Sequence, residues 1–140
     1  MTKKRFTVLS LFTGAMGLDI GLEYTRRFQT LACVEMVPAF CDSIRRNRDA
    51  GRIGDGAMQV YQADINHLDP AQVLSDLGLT VGELDLLVGG PPCQSFSTTG
   101  RRGTVQDPRG TLLWQFLRFP AHLLEAREKL PTGRPAVRPK

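Results

Sequence analysis

The chain has 140 residues, 41% of them hydrophobic and 23% charged, which allows one domain with a real core and is short for two. No apolar run approaches the roughly 20 residues needed to cross a bilayer, and Met1-Thr2-Lys3-Lys4-Arg5 leads straight into a strand-like stretch, so a soluble cytoplasmic protein is expected. Cys33, Cys41 and Cys93 form an odd set with no CxxC pair, which argues against a disulfide framework and a zinc site and leaves cysteine as core filler or chemistry.

The elements alternate along the chain. Phe6 to Phe12 is a short β-branched and apolar run that ends in the turn Thr13-Gly14-Ala15-Met16-Gly17, and Leu18, Ile20 and Leu22 then predict an amphipathic helix to about Arg27. Thr30 to Glu35 is a second strand. Pro38 opens a helix whose apolar face includes Phe40 and Ile44 and whose far side carries Arg45, Arg46 and Arg48. A glycine-rich loop over Gly51 to Gly56 precedes a third strand, Met58 to Tyr61, and Ala71 to Leu77 follows as a short helix. Leu84 to Val88 is the fourth strand, stopped by Gly89-Gly90-Pro91-Pro92. A further helix begins at Gly110, with Leu112, Leu113, Phe116 and Leu117 on one apolar face. From Phe119 to Lys140 four prolines break the pattern, so this stretch is a Pro-rich basic tail, expected to be poorly ordered, in which only His122 to Leu130 has helical character. Strands alternating with helices predict an α/β fold, a doubly wound parallel sheet with helices on both faces.

The net charge of +4 is unevenly spread. Between Phe6 and Phe96 six basic residues face eleven acidic ones, whereas Lys3-Lys4-Arg5, the loop with Arg101 and Arg102, and the tail are each basic. Concentrated positive charge of this kind suits a phosphate backbone, and it equally suits an ordinary solvated loop.

Three strand ends carry polar features. The glycine turn after the first strand aims backbone N–H groups and a helix N-terminus at a ligand, although Met16 replaces the middle glycine of a GxGxxG pattern and a tight connection needs no more than this. Glu35 ends the second strand, where a carboxylate can accept two hydroxyls of a ribose, and Asp64 lies just past the third, where it can accept from an adenine amino group. Each acid taken singly reads as a solvated strand end; three successive polar strand ends point to a binding site. In Gly90-Pro91-Pro92-Cys93-Gln94-Ser95-Phe96-Ser97 two prolines fix the backbone right after a buried strand and display Cys93 rigidly at the sheet edge, as a nucleophile requires. Cys33, inside a strand, and Cys41, on a helix, read as buried thiols.

With these residues in this order the chain resembles the N-terminal part of the bacterial DNA cytosine-5 methyltransferases of the restriction–modification type. The likeness covers about residues 6 to 118, from Leu9-Ser10-Leu11-Phe12-Thr13-Gly14-Ala15-Met16-Gly17 through Glu35, Asp64 and Pro91-Pro92-Cys93-Gln94 to Asp107-Pro108-Arg109-Gly110-Thr111-Leu112. It implies the Rossmann-like sheet of S-adenosylmethionine-dependent methyltransferases, ending after about four strands. It also implies that Phe12, Gly14 and Gly17 line the S-adenosylmethionine site, with Phe12 against the adenine. Glu35 would bind the ribose, Met36 would pack on the base, Asp64 would take the adenine amine with Ile65 alongside, and Leu112 would close the pocket. Cys93 would attack C6 of a cytosine flipped out of double-stranded DNA, making C5 nucleophilic enough to take the methyl group, while Gln94, Ser95, Ser97, Arg101 and Arg102 would face the DNA.

The family continues with a Glu-Asn-Val element whose glutamate holds the cytosine N3, then a target-recognition domain and a C-terminal segment that completes the sheet; these 140 residues contain no counterpart, and Glu125 and Glu128 lack that context. The expectation is a truncated chain with little or no activity alone. Alternatives are one subunit of a split methyltransferase completed by a second polypeptide, and a non-catalytic DNA-binding or regulatory module built on the basic loop and tail. A methyltransferase acting on another substrate is disfavoured, because simple transfer onto oxygen or nitrogen has no use for a proline-framed cysteine.

Overall fold

Phe6–Leu11 form β1, and Val8, Leu9, Ser10 and Leu11 are all buried, so this strand has protein on both faces, as the middle of a parallel sheet must. The computed structural model describes residues 4–80, 82–92 and 112–121. Within them β1 pairs in parallel with β2 (Phe28–Glu35) on one side and β4 (Leu86–Gly89) on the other, and β2 pairs in parallel with β3 (Gln59–Gln62). The order β3-β2-β1-β4 reverses direction beside β1, the place where open α/β sheets take their ligands. Thr7 and Asp85 fix the β1–β4 register: the Thr7 N–H and hydroxyl both donate to Asp85 Oδ2, at 2.8 and 2.9 Å.

Four connecting elements cover the sheet. Helix α1 spans Gly17–Tyr24 and stops short of the expected Arg27, because Arg26 turns left-handed (φ 57°) and donates its N–H back to Glu23 O, closing the helix end. Helix α2 spans Pro38–Asp49 with proline in its first turn, where the missing N–H costs nothing. Ile44 is buried as expected, but Phe40 is exposed; Cys41 takes the inward position in that turn, with its thiol 3.4 Å from Glu35 O. A 3-10 turn at Ile65–His67, not foreseen from the sequence, and α3 (Pro70–Asp76) each begin on an aspartate: Asp64 accepts from Asn66 N–H and Asp69 from Ala71 N–H.

Residues 112–121 are helical, and the face they turn inward differs from the expected one. Leu112 and Phe116 pack on the core together with fully buried Phe119, while Leu113, Trp114 and Leu117 are exposed. The spacing 112, 116, 119 is one helical stripe, so the helix belongs to the core beyond the boundary expected after Arg118. Arg118 reinforces this by donating to Ile65 O and Leu68 O at 2.9 and 2.5 Å. The remainder of the expected tail, 122–140, lies outside the described residues.

One face of the sheet buries Leu9, Leu11, Ala32 and Val34 against Ile65, Val73 and Phe119; the other sets Cys33 against Met16, Ile44, Ile53 and Met58. Gly89 is demanded by this packing. A Cβ there would lie 2.3 Å from Leu11 O and 2.9 Å from the Phe116 ring, so only glycine lets β4 and the 112–121 helix come this close to β1.

Candidate functional site

The carboxyl ends of β1, β2, β3 and β4 lie along one edge, and a cavity of about 280 Å³ opens there, lined by Phe12, Glu35, Met36, Asp64, Ile65 and Leu112. These are six of the eight positions the sequence nominates for a cofactor. Val34, Val37, Ala63, Gly90 and Pro92 complete the lining; all but Gly90 adjoin nominated residues in the chain, and Gly90 belongs to the Gly89-Gly90-Pro91-Pro92 stop after β4. Gly14 and Gly17 do not line the cavity. Gly14 instead acts on Glu35 through its backbone N–H, and Gly17 is the first residue of α1.

The β1–α1 turn is bent tightly. Phe12, Gly14 and Met16 all have left-handed φ values, 53°, 57° and 66°, at a cost of roughly 1–2 kcal/mol for each of the two side-chain-bearing residues. Met16 accepts that geometry because its side chain is fully buried in the α1–α2 core, which explains how methionine stands in the glycine position. Strain of this kind is held in place only where the surroundings determine the backbone, here with Thr13 N–H donating to Val34 O at 3.2 Å.

Glu35 is held by backbone alone. Its Oε1 accepts from Met36 N–H and Val37 N–H, both at 2.8 Å, and its Oε2 from Gly14 N–H at 2.7 Å. Three of about four lone-pair sites on a carboxylate are thus used, leaving one on Oε2 for a ligand hydroxyl where the sequence suggested two. Asp64 is prepared differently. Both Asn66 N–H and Asn66 Nδ2 donate to Oδ1, at 2.9 and 2.8 Å, while among the described residues Oδ2 has only His67 Nδ1 nearby, at 3.9 Å, which leaves it able to accept from a donor such as an adenine amine. Ala63 N–H donates to Glu35 O at 3.0 Å and ties the two acid-bearing strand ends together. Phe12, Val34, Ile65 and Leu112 give the same cavity apolar walls, so the residues present fit a nucleoside, with apolar surface for a flat base and carboxylate acceptors for a sugar hydroxyl and an amine.

Cys33 and Cys41 are both buried, as expected of core thiols, and burial pushes the Cys33 thiol up to about 12 and raises that of Cys41 as well. Neither is a nucleophile near neutral pH. Cys93, Gln94, Ser95, Ser97, Arg101 and Arg102 lie outside the described residues; the chain is followed up to Pro91-Pro92, with Pro92 on the cavity wall. Among the described residues no cluster of three His, Cys, Asp or Glu side chains is arranged to hold a metal ion, and no helix is long and apolar enough to cross a membrane.

Known proteins share this chain's sequence and its fold. Type II methyltransferase M.AquIA of Picosynechococcus sp. is 38% identical over 124 residues, which is 89% of this chain and 44% of that protein. Type II methyltransferase M1.HphI of Haemophilus parahaemolyticus is 34% identical over 114 residues, 80% of this chain and 28% of that protein, so the chain spans less than half the length of these curated relatives. The crystal structure of a candidate DNA modification methyltransferase encoded within an E. coli prophage matches with a TM-score of 0.60 over 85% of this chain and 29% of that one, at 24% identity, a likeness of fold. The family model of the C-5 cytosine-specific DNA methylases matches residues 6–122, nearly the whole of the described chain and the whole of the cavity, and the chain therefore belongs to that family.

Proposed function

We propose that the chain supplies the S-adenosylmethionine site and the nucleophile of a DNA (cytosine-5-)-methyltransferase of the restriction–modification type, acting on double-stranded DNA in the cytoplasm. The cavity carries this reading: Glu35 and Asp64 line it together, each with acceptor capacity left over from its backbone and Asn66 contacts, beside apolar walls of Phe12, Ile65 and Leu112. In it Asp64 would take the adenine amine, Glu35 would take a ribose hydroxyl, and Met36 would pack on the base. The bound cofactor supplies an electrophilic methyl group. Cys93 would be the thiolate that adds to C6 of the flipped cytosine, its S–C bond forming as the 5,6 double bond opens toward C5; after methyl transfer, which would leave the donor as its thioether, a base would take the C5 proton as the S–C bond breaks and the ring is restored.

Relatives of which this chain covers less than half support a further step of the reading: methylation needs a complementary half, in the same or a second polypeptide, that contributes the glutamate at cytosine N3 and the surface that reads the target. Equilibrium dialysis with S-adenosylmethionine and transfer of labelled methyl groups to DNA test both parts. The 140 residues are expected to bind the cofactor, to lose it on Glu35→Ala, and to leave DNA unlabelled. Absence of binding refutes the cofactor site, and robust labelling by the pure chain refutes the need for the other half. Salt-sensitive DNA binding indifferent to Cys93→Ser, without cofactor binding, would favour a non-catalytic DNA-binding module.

A further inference from the structure

The sheet face under α1 buries an acid that the proposed chemistry does not use. Asp19, in the first turn of α1, is wholly inaccessible, as are Ser10 of β1 and Thr30 of β2 to within 1%. Ser10 Oγ donates to Asp19 Oδ2 at 3.0 Å, whereas among the described residues Asp19 Oδ1 and Thr30 Oγ1, close to each other, make no hydrogen bond of good geometry. Packing alone does not explain this choice, since an apolar side chain would fill the space without the cost of a half-satisfied buried carboxyl.

The contacts of Ser10 suggest what the acid is for. Thr13 Oγ1 sits 3.3 Å from Ser10 Oγ and 3.2 Å from both Ser10 O and Val34 O, and the Thr13 N–H donates to the same Val34 carbonyl. An ionised carboxylate only accepts, so it fixes the Ser10 proton toward itself and turns the serine lone pairs toward Thr13. With the one Thr13 hydroxyl proton on Ser10 Oγ, a relay runs from Asp19 through Ser10 to Thr13, whose N–H donates to Val34 O at the end of β2, and the next amide in the turn, Gly14 N–H, holds Glu35 Oε2.

We propose that Asp19 is a positioning residue: through Ser10 and Thr13 it pins the left-handed turn after β1 so that Gly14 N–H keeps the Glu35 carboxylate in place for the cofactor. That purpose rests on reading the cavity as the S-adenosylmethionine site, whereas the pinning of the turn does not. The charged groups around Asp19 are Glu23 on its own helix and, across the face, Cys33, with Arg48 of α2 beyond it.

Amide hydrogen exchange on the 140-residue chain, without ligand, separates the two. In Asp19→Ala the Thr13 and Gly14 amides are expected to exchange about tenfold faster, as for one net hydrogen bond lost, while the ladder amides of Leu9 and Leu11 are unchanged. Asp19→Asn keeps an acceptor oxygen for Ser10 and is expected to restore protection to within about threefold. Titration with S-adenosylhomocysteine should follow the same ranking, about tenfold weaker for Asp19→Ala and near the parent for Asp19→Asn. Should Asp19→Ala fail to fold, Ser10→Ala cuts the relay at its other end and carries the same expectation. Unchanged Thr13 and Gly14 exchange, or equal acceleration of every amide in β1 and β2, overturns the proposal. Local acceleration in a chain that binds no S-adenosylhomocysteine upholds the pinned turn and removes the cofactor reading.

Discussion

On one face of the sheet Leu9, Leu11, Ala32 and Val34 meet Ile65, Val73 and Phe119 in an apolar cluster, with the Gln115 side-chain oxygen also buried on the covering helix; on the other, Ser10, Asp19 and Thr30 are buried beside Met16, Cys33, Ile44, Ile53 and Met58. The apolar face brings Ile65 and the 112–121 helix to the cavity wall, so burial there builds that wall and stabilises the fold together. The mixed face supports the turn that carries Gly14 and, through it, Glu35. Stability and site geometry therefore come from different sides of the same four strands, and substitutions on the two sides should separate them.

The largest effect is expected on the apolar face. Phe119→Ala empties the centre of that core and should cost about 3–5 kcal/mol, read as a fall in the denaturation midpoint, and it should weaken cofactor binding because Leu112 rides on the same helix. A cost under about 1 kcal/mol would mean that the helix is not part of the core.

Next comes the carboxylate at the cavity. Glu35→Ala removes a charged acceptor and leaves three N–H groups without it, so S-adenosylmethionine affinity should fall by roughly 10- to 100-fold, with a smaller loss of stability. Asn66→Ala acts on the other acid, removing one of two donors that hold Asp64 Oδ1, and should weaken binding by about two- to tenfold. Equal losses from Glu35→Ala and Asn66→Ala would contradict the difference between an acid held by backbone and one held by a side chain.

The parallel α/β sheet and the strand-end acids were legible because buried strands write themselves as apolar runs and a binding edge writes itself as polar punctuation after them. Glu35 and Asp64 need only their places on the strands to reach the cavity. What stayed hidden depends on pairs far apart in sequence. Nothing local marks Cys41 rather than Phe40 as the inward residue of α2, since both lie about one turn from Ile44. The sequence reads Phe119 as the start of a proline-broken tail, and only its position one turn after Phe116, whose ring lies over Gly89, makes it core. Nothing in the sequence singles out Asp19 between Leu18 and Ile20; its burial goes with the hydrogen bond it accepts from Ser10 of β1.

That buried acid gives the smallest effect and the only one of opposite sign. Burial raises the Asp19 pKa above its ordinary value of 3.8, the Ser10 hydrogen bond opposing this only in part. Below about pH 4 the carboxyl is neutral folded and unfolded, and its contribution to stability is fully present. As pH rises the unfolded chain gives up its proton first, so the contribution is lost progressively until the folded pKa is passed. Asp19→Asn is neutral throughout and offers an amide donor beside the Thr30 hydroxyl. The variant should therefore melt above the parent at pH 7, with the gap closing as pH falls toward 4, because titrations common to both chains cancel in the difference. A Tm difference that does not change with pH would mean that Asp19 pays no penalty for its burial, and the contrast between an apolar face that stabilises and a mixed face that positions would lose its energetic basis.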